Sequence, residues 1–111
     1  MSDQGRRFQL IVTIVSQGYA SHIVEAAKAA GSRGGTILRG RGSGVHESGR
    51  FFGVAIEPEK ELVLVLVPTS ITQKVLDAVV VAGKLDTPGT GIAFVLDVPH
   101  VAGIAHPEES S

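Results

Sequence analysis

The sequence ELVLVLVPTSITQKVLDAVVVAG, residues 61–83, decides the fold class. Residues 62–67 alternate leucine and valine, which is typical of a β-strand, and Pro68 ends the run. After Pro68 the apolar residues recur at helical spacing, which predicts an amphipathic helix that ends near Gly83. Ser70 followed by Gln73 predicts a capping box at the start of that helix. The predicted buried positions of the helix are Ile71, Val75, Val79 and Ala82.

The segments on either side extend this pattern to a whole domain. The other predicted elements are a strand at 8–15, an alanine-rich helix at 20–30, a strand at 36–40, an extended segment at 51–57 and a last strand at 92–98. Their order is β-α-β-β-α-β, the ferredoxin-like α+β plan. We therefore expect a four-stranded antiparallel sheet with two helices on one face.

Both faces of the predicted sheet are apolar. In the third strand Leu62, Leu64 and Leu66 alternate with Val63, Val65 and Val67, and the first and last strands also carry apolar side chains on both sides. Two helices cover only one face of such a sheet. Since a large exposed apolar patch is unusual in a monomer, the sequence predicts a homo-oligomer in which sheets pack against sheets.

The composition limits the possible classes of protein. The chain has 111 residues, a formal net charge of −1 and no cysteine. This length predicts one domain, 1–111, in which the leader 1–6 and the tail 107–111 are expected to be flexible. The charge balance gives no general attraction to nucleic acid, and no apolar run has the length of a membrane helix. We expect a cytoplasmic protein.

Glycine is concentrated in two segments. More than half of the fourteen glycines lie in residues 31–53, together with four arginines, and a shorter glycine-bearing segment covers 84–91. Glycine backbones let amides converge on an anion, and guanidinium groups bind carboxylates and phosphates. A solvated hairpin loop explains the same composition, so the residues alone leave both interpretations open.

The chain carries, in this order, Gly34-Gly35-Thr36, Arg41-Gly42-Ser43-Gly44, Lys60 and Gly89-Thr90-Gly91. The order and spacing of these motifs resemble those of the PII signalling family, over roughly residues 8–104. Gly34-Gly35-Thr36 is similar to the family's entry to its second strand. The segment Arg41-Gly42-Ser43-Gly44 is similar to the base of the family's T-loop. Lys60 is similar to the lysine that begins its third strand, and Gly89-Thr90-Gly91 falls on its B-loop.

The resemblance implies a homotrimeric signal-transduction protein, without enzymatic activity or cofactor, that binds an adenine nucleotide between subunits. The implied nucleotide-binding residues are Gly35, Thr36, Arg41, Gly42, Ser43, Gly44, Leu66, Gly89, Thr90 and Gly91. The T-loop would contact a protein target, such as a membrane transporter in nitrogen regulation. The implied partner-binding residues are Val45, His46, Glu47, Ser48, Gly49, Arg50 and Phe51.

The chain departs from the family pattern where charge is expected. Ile92 replaces a lysine after the B-loop, Gly103 and Ala105 replace two arginines after the last strand, and Val45 replaces a glutamine. These departures favour ADP, AMP or cyclic AMP over ATP with Mg²⁺ and 2-oxoglutarate. Arg39, Arg41 or Arg50 would supply the compensating charge.

Two alternatives remain at this stage. A metal-responsive or structural trimer similar to the CutA family would have the same fold without nucleotide binding. The histidines His22, His46, His100 and His106 have no metal-ligand spacing, so no metal site is predicted. A small ferredoxin-like enzyme is the other alternative, but Ser43 and Ser48 lack a basic partner that would make either a nucleophile.

Overall fold

A computed structural model describes residues 7–44, 50–51, 54–55 and 57–103, with the backbone alone for 50, 51, 54 and 55. The strands are β1 (Phe8–Ser16), β2 (Thr36–Arg41), β3 (Arg50–Phe51), β4 (Val54–Ala55), β5 (Glu59–Pro68) and β6 (Gly91–Val98). The helices are α1 (Ala20–Ala29) and α2 (Thr72–Gly83), and a 3-10 turn at Thr69–Ile71 precedes α2.

The main sheet has four strands in the order β2-β5-β1-β6, and every neighbouring pair is antiparallel. In its centre Val12 lies opposite Leu64 on one side and Phe94 on the other. The short strands β3 and β4 pair only with each other. The predicted ferredoxin-like plan is confirmed.

Both helices pack on one face of the sheet. Ile23 and Ala27 of α1 and Val75 and Val79 of α2 are buried against alternate residues of β1 and β5. The sheet side of this core consists of Ile11, Val15, Val63, Val65 and Val67. Burying a valine or isoleucine side chain is worth about 1.5–3 kcal/mol, so this aliphatic layer stabilises the fold.

The opposite face of the sheet carries apolar side chains with no helix over them. The following residues of this helix-free face are between 38% and 55% exposed: Leu38, Leu66, Ile92, Phe94 and Leu96. The predicted apolar character of both faces is therefore confirmed. Strand alternation produces it, since every second residue of β1, β5 and β6 points away from the helices.

The predicted capping box at the start of α2 is wrong. The chain leaves β5 at Pro68 through the 3-10 turn, so Ser70 lies inside that turn and α2 begins at Thr72 without a side-chain cap. Gln73 donates its amide to Asp77 Oδ1 at 2.8 Å and does not reach back. The 3-10 turn moves the start of α2 from Ile71 to Thr72, which separates Ser70 from the amides that it would cap.

Several predictions fall outside the described residues. They concern the leader 1–6, the tail 107–111, Ala105, and five residues of the partner loop, 45–49. Within the described ranges, neither helix has the length and apolar character needed to cross a membrane.

Candidate functional site

A cavity of about 570 Å³ lies where the two glycine-bearing segments meet. Residues 41–44 border it from the end of β2, Gly89 borders it from the loop before β6, and Gly91 borders it as the first residue of β6. The rest of the lining is Ile14, Gly40, Lys60, Leu62 and Ile92. The structure thus brings together Arg41, Gly42, Ser43, Gly44, Gly89 and Gly91, six residues of the predicted nucleotide site; we call this space the glycine-loop cavity.

Gly91 is required by the packing at the edge of this cavity. Its backbone has a φ of +153°, and a Cβ at this position would overlap the carbonyl oxygen of Ile14 on the neighbouring strand. Gly89 has a φ of +87°, another conformation that side-chain-bearing residues rarely adopt. The start of β6 therefore approaches β1 closely because Gly91 lacks a side chain.

The amides around the cavity are not equally available. The amide of Gly42 donates to the carbonyl oxygen of Pro58 at 3.1 Å, so it holds the end of β2 to the chain before β5. In the part of the chain that the structure describes, the amides of Ser43 and Gly89 have no acceptor. These two amides are the ones best able to donate to an anion.

Lys60 is the cation that the sequence prediction omitted from the site. It lies opposite Gly40 in the β2–β5 register, it is 9% exposed, and it lines the glycine-loop cavity. A lysine is seldom this buried without a partner, and Lys60 does interact with other parts of the chain. The sequence contained a signal that would have placed Lys60 in the site. Residues 60, 62, 64 and 66 alternate along β5 and therefore share one face of the sheet.

Arg41, which lines the glycine-loop cavity, also forms an ion pair outside the predicted site. Its Nε lies 3.4 Å from Oε2 of Glu59, and both side chains are largely in solvent. The register places Arg41 opposite Glu59 and Arg39 opposite Glu61. Since Gly40 and Lys60 lie between them, the two arginines alternate away from the face that carries Lys60.

Thr90 was also predicted to contact the nucleotide, but its hydroxyl makes hydrogen bonds within its own loop. Its hydroxyl oxygen lies 2.7 Å from the Lys84 carbonyl oxygen and 2.9 Å from that of Thr87. Thr90 is not among the residues that line the glycine-loop cavity. Its hydroxyl therefore shapes the loop that carries Gly89 and Gly91.

The remaining predicted residues lie in a second cavity, also of about 570 Å³, which we call the leucine cavity. Its lining is Leu10, Arg33, Gly34, Gly35, Thr36, Leu64, Leu66 and Val98. Gly35, Thr36 and Leu66 are thus together, but apart from the glycine-loop cavity. Leu10 in one cavity and Ile14 in the other are four residues apart along β1, or roughly 13 Å.

Glu61 links β5 to the start of α1. Its Oε1 accepts hydrogen bonds from the amides of Gly18 at 2.9 Å and Ala20 at 3.0 Å. The bonds from Ala20 and Gly18, helped by the charge of Arg39, hold the pKa of this carboxyl below its ordinary value, although partial desolvation raises it. The carboxylate supplies the capping acceptor that α1 lacks in its own sequence.

Histidine and acidic residues form no cluster of three that could hold a metal ion in the described ranges, which contain His22 and His100 but not His46 or His106.

A third depression lies at the start of α1, lined by Gly18, Tyr19, Ser21, His22 and Glu25.

Solved structures with a similar fold support the architecture described above. The PII protein of Arabidopsis thaliana, bound to citrate, matches with a TM-score of 0.72 and 21% identity over 95% of this chain and 92% of its own. The PII-like protein CPII of Thiomonas intermedia, bound to ADP, AMP and bicarbonate, has a TM-score of 0.66 and 17% identity, over 88% and 97%. GlnK of B. subtilis, in complex with ATP, has a TM-score of 0.65 and 15% identity, over 88% and 84%.

Sequence comparison identifies the family. No curated protein sequence matches the chain. The family model for nitrogen regulatory protein P-II, however, matches residues 8–108, nearly the whole length. The chain therefore belongs to the nitrogen regulatory protein P-II family.

Proposed function

We propose that this protein is a homotrimeric regulator that binds an adenine nucleotide and carries out no chemical turnover. The observation that carries the proposal is the convergence of residues 41–44, Gly89 and Lys60 on one cavity. Two amides that have no acceptor among the described residues, together with the largely buried Lys60, are the components of a phosphate site. Complexes of CPII with ADP and AMP, and of GlnK with ATP, support an adenine nucleotide as the ligand.

The charge of the cavity favours a ligand with few phosphates. Among the described residues two cations line the cavity, Lys60 and Arg41, and the guanidinium of Arg41 is beside the carboxylate of Glu59. Ile92 lines the cavity where the family pattern has a lysine. A triphosphate would bring more negative charge than Lys60 balances, so we propose ADP, AMP or cyclic AMP before ATP.

The helix-free face supplies the proposed subunit contact. It carries Leu66, Ile92, Phe94 and Leu96, all more than a third exposed, and both cavities open beside it. Burial of apolar side chains gains roughly 25 cal/mol per Å² removed from water, which favours covering this face with other copies of the chain. We propose that the trimer of the P-II family covers it, so that each nucleotide lies in a cleft between neighbouring subunits.

The partner-binding role of residues 45–51 rests on the resemblance to the T-loop. Gly42 and Gly44 join this segment to the cavity, so bound phosphate would restrict its conformations. Limited trypsin digestion tests this link: ADP should slow cleavage after Arg50. An unchanged rate at saturating ADP would argue against ligand-linked ordering of the loop.

Isothermal titration calorimetry with ADP, AMP, cyclic AMP and ATP tests the nucleotide proposal. We expect saturable binding with one site per subunit, and ADP or AMP at least as tight as ATP. Absence of binding to all four ligands at millimolar concentration would reject it. Sedimentation equilibrium on the same sample tests the trimer separately.

A further inference from the structure

The leucine cavity contains a cation that the predicted nucleotide site does not include. Arg33 lies in the segment between α1 and β2 and lines this cavity with Thr36 and Leu66. Its side chain is exposed, and it has no hydrogen-bond or ion-pair partner in the part of the chain that the structure describes. It is therefore available to a ligand in a way that Arg41, beside Glu59, is not.

The other walls of the cavity suit a flat, mostly apolar group. Four aliphatic side chains line it, and the polar contributions come from Arg33, the hydroxyl of Thr36 and the backbones of Gly34 and Gly35. A Cβ on Gly35 would lie 3.3 Å from the Leu64 carbonyl oxygen, so the backbone here packs tightly on β5. The aliphatic side chains are Leu10, Leu64, Leu66 and Val98.

We propose that Arg33 is a specificity-determining residue, whose guanidinium plane lies against the purine ring of the bound nucleotide. A guanidinium is planar and weakly hydrated, and it stacks on aromatic faces better than an ammonium group does. An apolar cavity with a few polar groups is the environment that a heterocyclic ring prefers. The phosphates belong to the glycine-loop cavity with Lys60, roughly 13 Å away along β1.

This inference rests on the proposed nucleotide binding and adds a residue to it. Its test separates the base from the phosphates by titrating adenosine and ADP into the full chain. The variants are Arg33→Gln, which removes charge and stacking, and Arg33→Lys, which keeps the charge alone. Lys28→Gln is the control for the loss of a positive charge, because Lys28 is exposed on α1 and lines neither cavity.

We expect Arg33→Gln to weaken the binding of both adenosine and ADP by about 3- to 10-fold. Arg33→Lys should recover less than half of this loss on a logarithmic scale, and Lys28→Gln should change neither affinity. Equal affinities of the wild type and Arg33→Gln would overturn the inference and leave nucleotide binding intact. A loss confined to ADP would also overturn it, since it would place Arg33 on a phosphate. Absence of binding by the wild type would reject the proposed function and the inference together.

Discussion

Arg41 and Glu59 lie opposite each other at the ends of β2 and β5, with Nε 3.4 Å from Oε2. The next pair along the ladder is Gly40 and Lys60, which is on the other side of the sheet. This one-residue alternation places Arg41 in an exposed ion pair and the largely buried Lys60 on the helix-free face, although both residues line the glycine-loop cavity. The charge that matters most for a bound phosphate is therefore assigned to Lys60 and not to Arg41.

The first prediction compares these two cations. Lys60→Gln should weaken ADP binding by roughly 10- to 100-fold, because a hydrogen bond between charged groups is lost. Arg41→Gln should weaken it by no more than about 5-fold, because the Arg41 side chain is mostly exposed and water screens its charge. Calorimetry measures both. Adenosine affinity and the melting temperature serve as controls for folding, and a larger effect of Arg41→Gln would reverse the assignment.

The second prediction concerns the glycines of the cavity. Gly91→Ala should destabilise the protein by at least about 2 kcal/mol, because its φ is unfavourable for alanine and its Cβ would overlap the Ile14 carbonyl. Gly42→Ala should cost only about 1 kcal/mol, because its φ is also positive but no atom of the described residues lies within 4 Å of the added Cβ. Urea denaturation measures the free energy of unfolding of both variants. Equal losses of stability would show that β1 moves to make room for the added methyl group of Gly91→Ala.

The third prediction concerns the helix-free face. Leu96→Arg should shift the trimer toward monomer, because Leu96 is half exposed on the face that neighbouring subunits would cover. Val81→Arg is the matched control, because Val81 is 77% exposed on α2, away from that face. Sedimentation velocity at equal protein concentration gives the result. A trimer that tolerates Leu96→Arg would place the interface elsewhere.

The fourth prediction is a pH dependence caused by Glu61. Its folded-state pKa is lowered by the amides of Ala20 and Gly18, so the unfolded chain binds the proton more tightly. The stabilisation is present above the ordinary glutamate pKa of about 4.3 and is lost as the pH falls through the lower folded-state value. Glu61→Gln should therefore destabilise the protein at pH 7, and this difference should shrink toward pH 3.

Glu59→Gln is the control for that experiment. Glu59 is paired with Arg41 in solvent and accepts no helix amide, so its removal should have little effect at either pH. Urea midpoints at pH 7 and pH 3 provide the comparison. A Glu61→Gln difference that stays constant between these pH values would contradict the capping role.

Most of the fold could be predicted from local patterns in the sequence. The leucine and valine run of β5 and the helical spacing of Val75 and Val79 identified strand, helix and both apolar faces. The start of α2 could not be predicted in the same way, because a capping motif at Ser70 does not reveal the 3-10 turn that occupies it.

The candidate site was predictable only in part. The glycines identified its two loops, because the absence of side chains is visible in sequence. The sequence did not show on which face of the sheet each cationic side chain lies. That depends on the register that pairs Arg41 with Glu59 and Gly40 with Lys60. Arg33 also needed the structure, which folds the segment before β2 beside Leu66.

The central claim is that an adenine nucleotide binds with its phosphates at the two glycine loops. An ADP titration followed by amide nuclear magnetic resonance tests it most directly. The predicted result is a saturable shift of the amides of Ser43, Gly44, Gly89 and Gly91, with small changes at Tyr19 and His22 beside the third depression. Saturable shifts confined to Tyr19 and His22, or no saturable shift at millimolar ADP, would contradict the account.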